Sequence, residues 1–243
     1  MTRRVFSIRF ISILFLGLAL HSALGQQAAQ VFQVQLSASP APSHDSPQDT
    51  WADLMEGNRR FVAGTTQTHD VVSLRHALAG GQHPKAIVLA CSDSRVAPEL
   101  LFDKSLGDLF VVRSAGNVAD EIGRGSIEYA VEHLGANLVV VLGHQKCGAV
   151  TAACSGNKMP SPNLQAIVDR IAPAVAKART TANDNELVEA AVRENVLQSA
   201  HDLLAGSELL RSAVHEGKIE VVEAVYSLDT GEVTTLGNIH SGE

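Results

Sequence analysis

Apolar runs at residues 86–90, 108–112, 138–142 and 219–226 are short, nearly continuous and rich in β-branched side chains. Runs of that length and composition predict strands buried on both faces. Helix-period patterns fall between and after them, near 98–102, 124–134, 146–154, 162–178, 184–204 and 207–215. Such alternation predicts an α/β fold, a mostly parallel four-stranded sheet flanked by helices. The end of the chain differs. Residues 221–226, the turn Asp229-Thr230-Gly231 and residues 232–236 form a hairpin pattern, which adds an antiparallel edge strand. Ahead of the sheet, Asp49-Thr50 opens a helix over 51–62 that puts Trp51, Leu54, Met55 and Phe61 on one side and stops at Gly64. This N-terminal helical arm can pack on its own sheet or on a partner subunit. A second short helix covers 72–79 and ends at Gly80-Gly81. No internal repeat appears.

The first residues follow another pattern. Arg3, Arg4 and Arg9 precede an apolar run from Phe10 to Leu20, and Ser22-Ala23-Leu24-Gly25 supplies small residues for cleavage. This is a signal peptide at 1–25, too short to span a bilayer, which takes about 18 or more apolar residues. The expected destination is the periplasm, by the general secretory route or by the twin-arginine route that Arg3-Arg4 partly matches. Residues 26–48, rich in Gln, Ala, Ser and Pro, read as a flexible linker, and the folded domain is expected over 49–243. The 243-residue chain carries a net charge of -7; cleavage after Gly25 removes three Arg and leaves 16 basic against 26 acidic residues, or -10. That balance argues against nucleic acid as a partner, and the chain is not expected on a membrane once its signal is removed.

Candidate chemistry concentrates after two strands. Cys91-Ser92-Asp93-Ser94-Arg95 follows the run at 86–90, and His144-Gln145-Lys146-Cys147 follows the run at 138–142. Open α/β sheets bind ligands at the carboxyl ends of their strands. Taken singly, Cys91 is a small buried residue and His144 a satisfied polar group. Together, Cys91, His144 and Cys147 are a three-ligand zinc set with one exchangeable position, and if a helix starts here His144 and Cys147 share one of its faces. Asp93 is either a fourth ligand or a base beside the metal, and Arg95 offers a fork that can grip it. A redox pair is the other use of thiols in an exported chain. Cys147 and Cys154 are seven residues apart, about 10.5 Å along a helix, too far for a disulfide, so Cys154 is expected in the core. Gly123-Arg124-Gly125 lacks the last Gly of a dinucleotide loop, and no Gly-x-Ser-x-Gly elbow occurs.

The Cys91-to-Val96 segment, the run from Gly107 to Asn117 and the segment from Gly143 to Ala149 closely resemble the β-class carbonic anhydrases, in order and spacing, over about residues 50–240. The resemblance implies zinc-dependent, reversible hydration of carbon dioxide to bicarbonate and a proton. It implies one Zn2+ per chain on Cys91, His144 and Cys147, and a zinc-bound hydroxide oriented by Asp93 and Arg95. In the family's closed form the residue matching Asp93 moves onto the metal. It further implies substrate contacts from Gln82, Phe110, Tyr129 and Gly148, partly across a subunit boundary. The assembly would be a homodimer or a dimer of dimers, with the helix from Trp51 wrapping the partner. Members with a non-catalytic bicarbonate site have Trp three residues before the first Cys; Val88 stands there, which implies the open site at neutral pH. Two alternatives share the ligands. One is a carbon disulfide or carbonyl sulfide hydrolase, which only substrate assays separate. The other is a non-catalytic zinc-stabilised binding protein, against which Asp93 and Arg95 argue.

Overall fold

The computed structural model describes residues 45–240; the expected signal peptide and residues 26–44 of the linker lie outside them. A five-stranded sheet has the order β2-β1-β3-β4-β5. Its members are β1 (Ala86–Cys91), β2 (Leu109–Ser114), β3 (Leu138–His144), β4 (Glu220–Tyr226) and β5 (Val233–Ile239). The first four are parallel, in registers that set Ile87 beside Phe110 and Val139, and β5 returns antiparallel along β4. Gly231, at φ 80, makes the hairpin turn. The helices are α1 (Pro47–Ala63), α2 (Val71–Ala77), α3 (Pro98–Leu101), α4 (Glu121–Leu134), α5 (Gly148–Ser155), α6 (Pro162–Ala178), α7 (Leu187–Ala205) and α8 (Glu208–His215).

Capping chemistry accounts for the boundaries that differ from expectation. Ser46 Oγ accepts the Asp49 N–H at 3.1 Å and Pro47 takes the first turn, so α1 begins inside the expected linker. Asp120 accepts the Gly123 N–H at 2.7 Å and starts α4 three residues before 124. Asn183 Oδ1 accepts the N–H groups of Asn185 and Glu186, which holds 183–186 as a turn and delays α7 to Leu187.

Because strand side chains alternate, β1 and β3 feed two cores. Ile87, Leu89, Val139 and Val141 face α4 to α8, while Ala86, Val88, Ala90, Leu138, Val140 and Leu142 face the side where α1 and α3 lie. Every residue of β1 and β3 is buried. Fully burying one such Leu or Ile contributes about 1.5–3 kcal/mol, so this central pair is a rigid base for whatever its ends carry. The arm packs on its own sheet. Leu54 is fully buried there, Trp51 meets Phe102 edge-on at 6.1 Å, and Asn58 bonds Leu101 O, Gly231 O and Val233 N–H. These bonds satisfy its inner side within the chain. On the other side of the sheet, α7 approaches β3 so closely that a Cβ on Gly143 would stand 2.5 Å from Val196 Cγ2.

Candidate active site

Cys91 is the last residue of β1 and His144 the last of β3, on adjacent parallel strands, so both reach the same edge of the sheet. His144 and Cys147 do not share a helix face, as the helix pattern had suggested. The chain turns at Lys146, in the left-handed region at φ 54, and Cys147 is the N-cap of α5. Gln145 N–H bonds Tyr226 O at 3.0 Å, Ser227 Oγ donates to Gln145 Oε1 at 2.9 Å, and Lys146 N–H bonds Glu189 at 3.1 Å. This turn delivers Cys147 back towards Cys91. The two sulfurs are 4.0 Å apart, and the ligand atoms of Cys91, His144 and Cys147 all lie within 4.8 Å of one another.

The group is built for a cation. All three residues are buried, and His144 Nε2 has no hydrogen-bond partner among the described residues. His144 Nδ1 lies 2.9 Å from Gln145 O; a carbonyl only accepts, so the proton sits on Nδ1 and the Nε2 lone pair points into the cluster. The hydrogen bond shared with Cys147 draws the Cys91 thiol down, against burial, with His144 and the Gly116 N–H helping. The same bond to Cys91, together with burial, pushes Cys147 up. Two touching buried thiols share one negative charge; a metal ion is what lets both ionise. Sulfurs on a tetrahedral zinc at about 2.3 Å lie roughly 3.8 Å apart, so the 4.0 Å separation fits that ion.

Beside the cluster, Arg95 grips Asp93 bidentately, Nε to Oδ1 at 2.9 Å and Nη2 to Oδ2 at 2.7 Å. The Arg95 side chain holds the Asp93 carboxyl well below the usual carboxylate range, against the cost of burial. Oδ2 lies 3.9 Å from His144 Nε2. Arg113, on β2, donates to the carbonyls of Cys91, Asp93 and Val96 at 3.1, 2.7 and 2.8 Å and so fastens the whole loop.

A family model described as carbonic anhydrase matches residues 86–233. Carbonic anhydrase 2 of Mycobacterium tuberculosis is 41% identical over 202 residues, which cover 80% of this chain and 96% of that protein. The carbonic anhydrase of Mycolicibacterium smegmatis is 38% identical, covering 81% and 98%. The solved β-carbonic anhydrase CcaA superposes with a TM-score of 0.61 at 30% identity, over 76% of this chain and 86% of that one. The chain belongs to the β-class carbonic anhydrases. It is an enzyme of carbon dioxide hydration, and zinc is its metal.

Gly148 follows Cys147 directly, and a Cβ there would meet nothing within 4 Å, so space is open beside the cluster. The other expected substrate contacts of this carbonic anhydrase are elsewhere in the chain. Gln82 is exposed ahead of β1, whose five-residue rise to Cys91 spans roughly 16 Å. Phe110 pairs in register with Ile87, near the start of the strand, and its ring lies 6.4 Å from that of Tyr129 on α4. Phe110 and Tyr129 line a cavity of about 780 Å³ together with Ile122 and Arg124, and none of the three ligands borders it. Cys154 is half-buried against the core, its thiol pushed up by burial.

Sequence reading assigned no role to Arg113, Glu189 or Asn195. Their contacts to the ligand loops cross 20, 43 and 79 positions, beyond any local period. Asn195 did carry a signal: it interrupts the buried row Leu187, Ala191, Ser199 and Leu203 of α7 with an amide.

Proposed function

We propose that Cys91, His144 and Cys147 hold the zinc, and that the Asp93–Arg95 pair aligns the nucleophile for attack on carbon dioxide. The observation that carries this is the three-atom cluster within 4.8 Å with an ionised carboxylate beside it. When bound, zinc lowers the pKa of a ligated water from about 15.7 to about 7, the value of the three-histidine carbonic anhydrase site; two thiolates in place of imidazoles make that water less acidic. Asp93 is ionised throughout the neutral range, so Oδ2 can only accept a hydrogen bond. It therefore fixes the direction of an attacking O–H without itself being a proton source. Arg95 occupies both carboxylate oxygens and keeps Asp93 off the metal. The Gly148 N–H, in the first turn of α5, has no partner within the helix and would serve as a donor to a bicarbonate oxygen.

The cavity is completed by a second copy in this reading, as a homodimer. In its support, β2 is an edge strand, Ile122 on the neighbouring α4 is 78% exposed and Tyr129 is 49% exposed. Gln82, Phe110 and Tyr129 are too far from their own cluster and would serve the partner's. Two solved β-carbonic anhydrases of Sordaria macrospora, one with a TM-score of 0.62 at 25% identity over 78% of this chain and 98% of that one, are described as tetrameric. Export to the periplasm rests on residues 1–25; among the described residues no helix is long and apolar enough to cross a membrane.

Stopped-flow hydration on residues 26–243, with zinc measured in the same sample across pH 6.5 to 9, tests the reading. The expected result is rapid hydration at one zinc per chain. One zinc with no hydration, or turnover only of carbon disulfide or carbonyl sulfide, overturns it. The mass of the chain recovered from the periplasm tests export, with a start at Gln26 expected.

A further inference from the structure

Cys91 has a neighbour that the catalytic reading leaves unused. Gly116, just past β2, donates its N–H to Cys91 Sγ at 3.3 Å. Gly116 stands at φ 71, where other residues are strained, and a Cβ there would crowd Ile171 Cδ1 at 2.7 Å and Ala149 Cβ at 3.2 Å. Glycine is also the residue whose peptide planes rotate most freely. A lone N–H···S bond would not by itself hold such a residue still. The following residue, Asn117, is left-handed as well, at φ 46. Two consecutive residues in that region need an outside hold.

That hold is Asn195. It is 2% exposed, in the middle of α7, and its Nδ2 donates to Gly116 O at 2.8 Å. A carbonyl accepts only, so the amide must present its nitrogen here. The same nitrogen reaches Asn117 Oδ1 at 3.5 Å, and Asn117 Nδ2 reaches Ser199 Oγ at 3.5 Å. An amide buried in an apolar helix face costs stability unless it is bonded. Its bond falls on a residue that lacks a side chain and donates to the Cys91 sulfur.

We propose that Asn195 is a positioning residue of the metal centre: its amide fixes Gly116 so that the Gly116 N–H stays aimed at the Cys91 sulfur. Such an outer partner sets how much charge the thiolate gives the metal and how long the metal stays. Its removal typically costs about 10–100-fold in metal affinity or activity. The inference rests on Cys91 being a zinc ligand.

The test replaces zinc by cobalt in the full mature chain and compares wild type, Asn195→Leu and Ser199→Ala. Asn195→Leu keeps the branched shape and removes the donor. Ser199→Ala disturbs the same buried cluster without touching Gly116. In Asn195→Leu the thiolate-to-cobalt absorption should move to longer wavelength, because a sulfur without its N–H gives up charge more readily. A chelator should remove the metal at least about tenfold faster. Ser199→Ala should match wild type in both. A wild-type band and release rate in Asn195→Leu would overturn the proposal, as would equal changes in both variants. No thiolate band in wild type would instead overturn the ligand assignment. If Asn195→Leu does not fold, cadmium-113 NMR on wild type decides: coupling between the metal and the Gly116 amide proton is expected, and its absence refutes the N–H···S bond.

Discussion

The ligand end of β1 and β3 and the outer flank at β2 and α4 are built on opposite terms. At the first, Cys91, His144 and Cys147 are 5%, 1% and 1% exposed, and bonds from Arg113, Glu189, Tyr226 and Asn195 hold the loops around them. At the second, Ile122 and Tyr129 are 78% and 49% exposed beside a strand that, among the described residues, has no neighbour on one side. In the proposed reading the chain completes its zinc ligand set alone and leaves its substrate wall to a second copy. Metal retention and turnover should therefore be separable by mutation, with turnover alone depending on the partner.

The severest break is Cys147→Ala, which should abolish zinc and hydration together, as metal analysis beside stopped-flow would show. Zinc retained at full stoichiometry would mean that the first region is not the metal site. Asp93→Ala should keep one zinc and cost about 10²–10³-fold in kcat, the scale of losing one transition-state contact. Ile122→Arg sharpens the contrast. Light scattering should report monomers that still carry zinc, with hydration down by about tenfold or more, because aligned contacts from the partner are gone. A fully active monomer would show the flank to be dispensable.

The smallest effect concerns Arg95→Ala. Asp93 is held below its ordinary value by Arg95, so the pair contributes stability above the unfolded carboxylate pKa of about 3.9 and loses it as pH falls through the folded value. The gap in Tm between wild type and Arg95→Ala should be small and constant from pH 8 to 5 and should narrow progressively as pH falls below about 4.

Much of this was legible where physics is local. The runs at 86–90 and 138–142 are apolar on both alternating faces because both faces are covered, and the structure buries every residue of those strands. The antiparallel return after Gly231 followed from turn chemistry, whereas the order of the strands was not written in any local pattern. Helix starts were less legible, since Ser46, Asp120 and Asn183 each compete with neighbours of similar capping ability. The link between His144 and Cys147 was misread for a different reason. A three-residue spacing looks helical, but Lys146 is held at φ 54 with its N–H on Glu189, 43 residues on. No local pattern encodes that.

Gly143 gives this arrangement a genetic signature. Any side chain there meets Val196 first, so α7 must retreat from β3. That helix carries Asn195 to the Cys91 side and Glu189 to the Lys146 turn. Gly143→Ala changes no charge and replaces no ligand side chain, yet by crowding Val196 it should loosen the hold of α7 on both ligand loops at once.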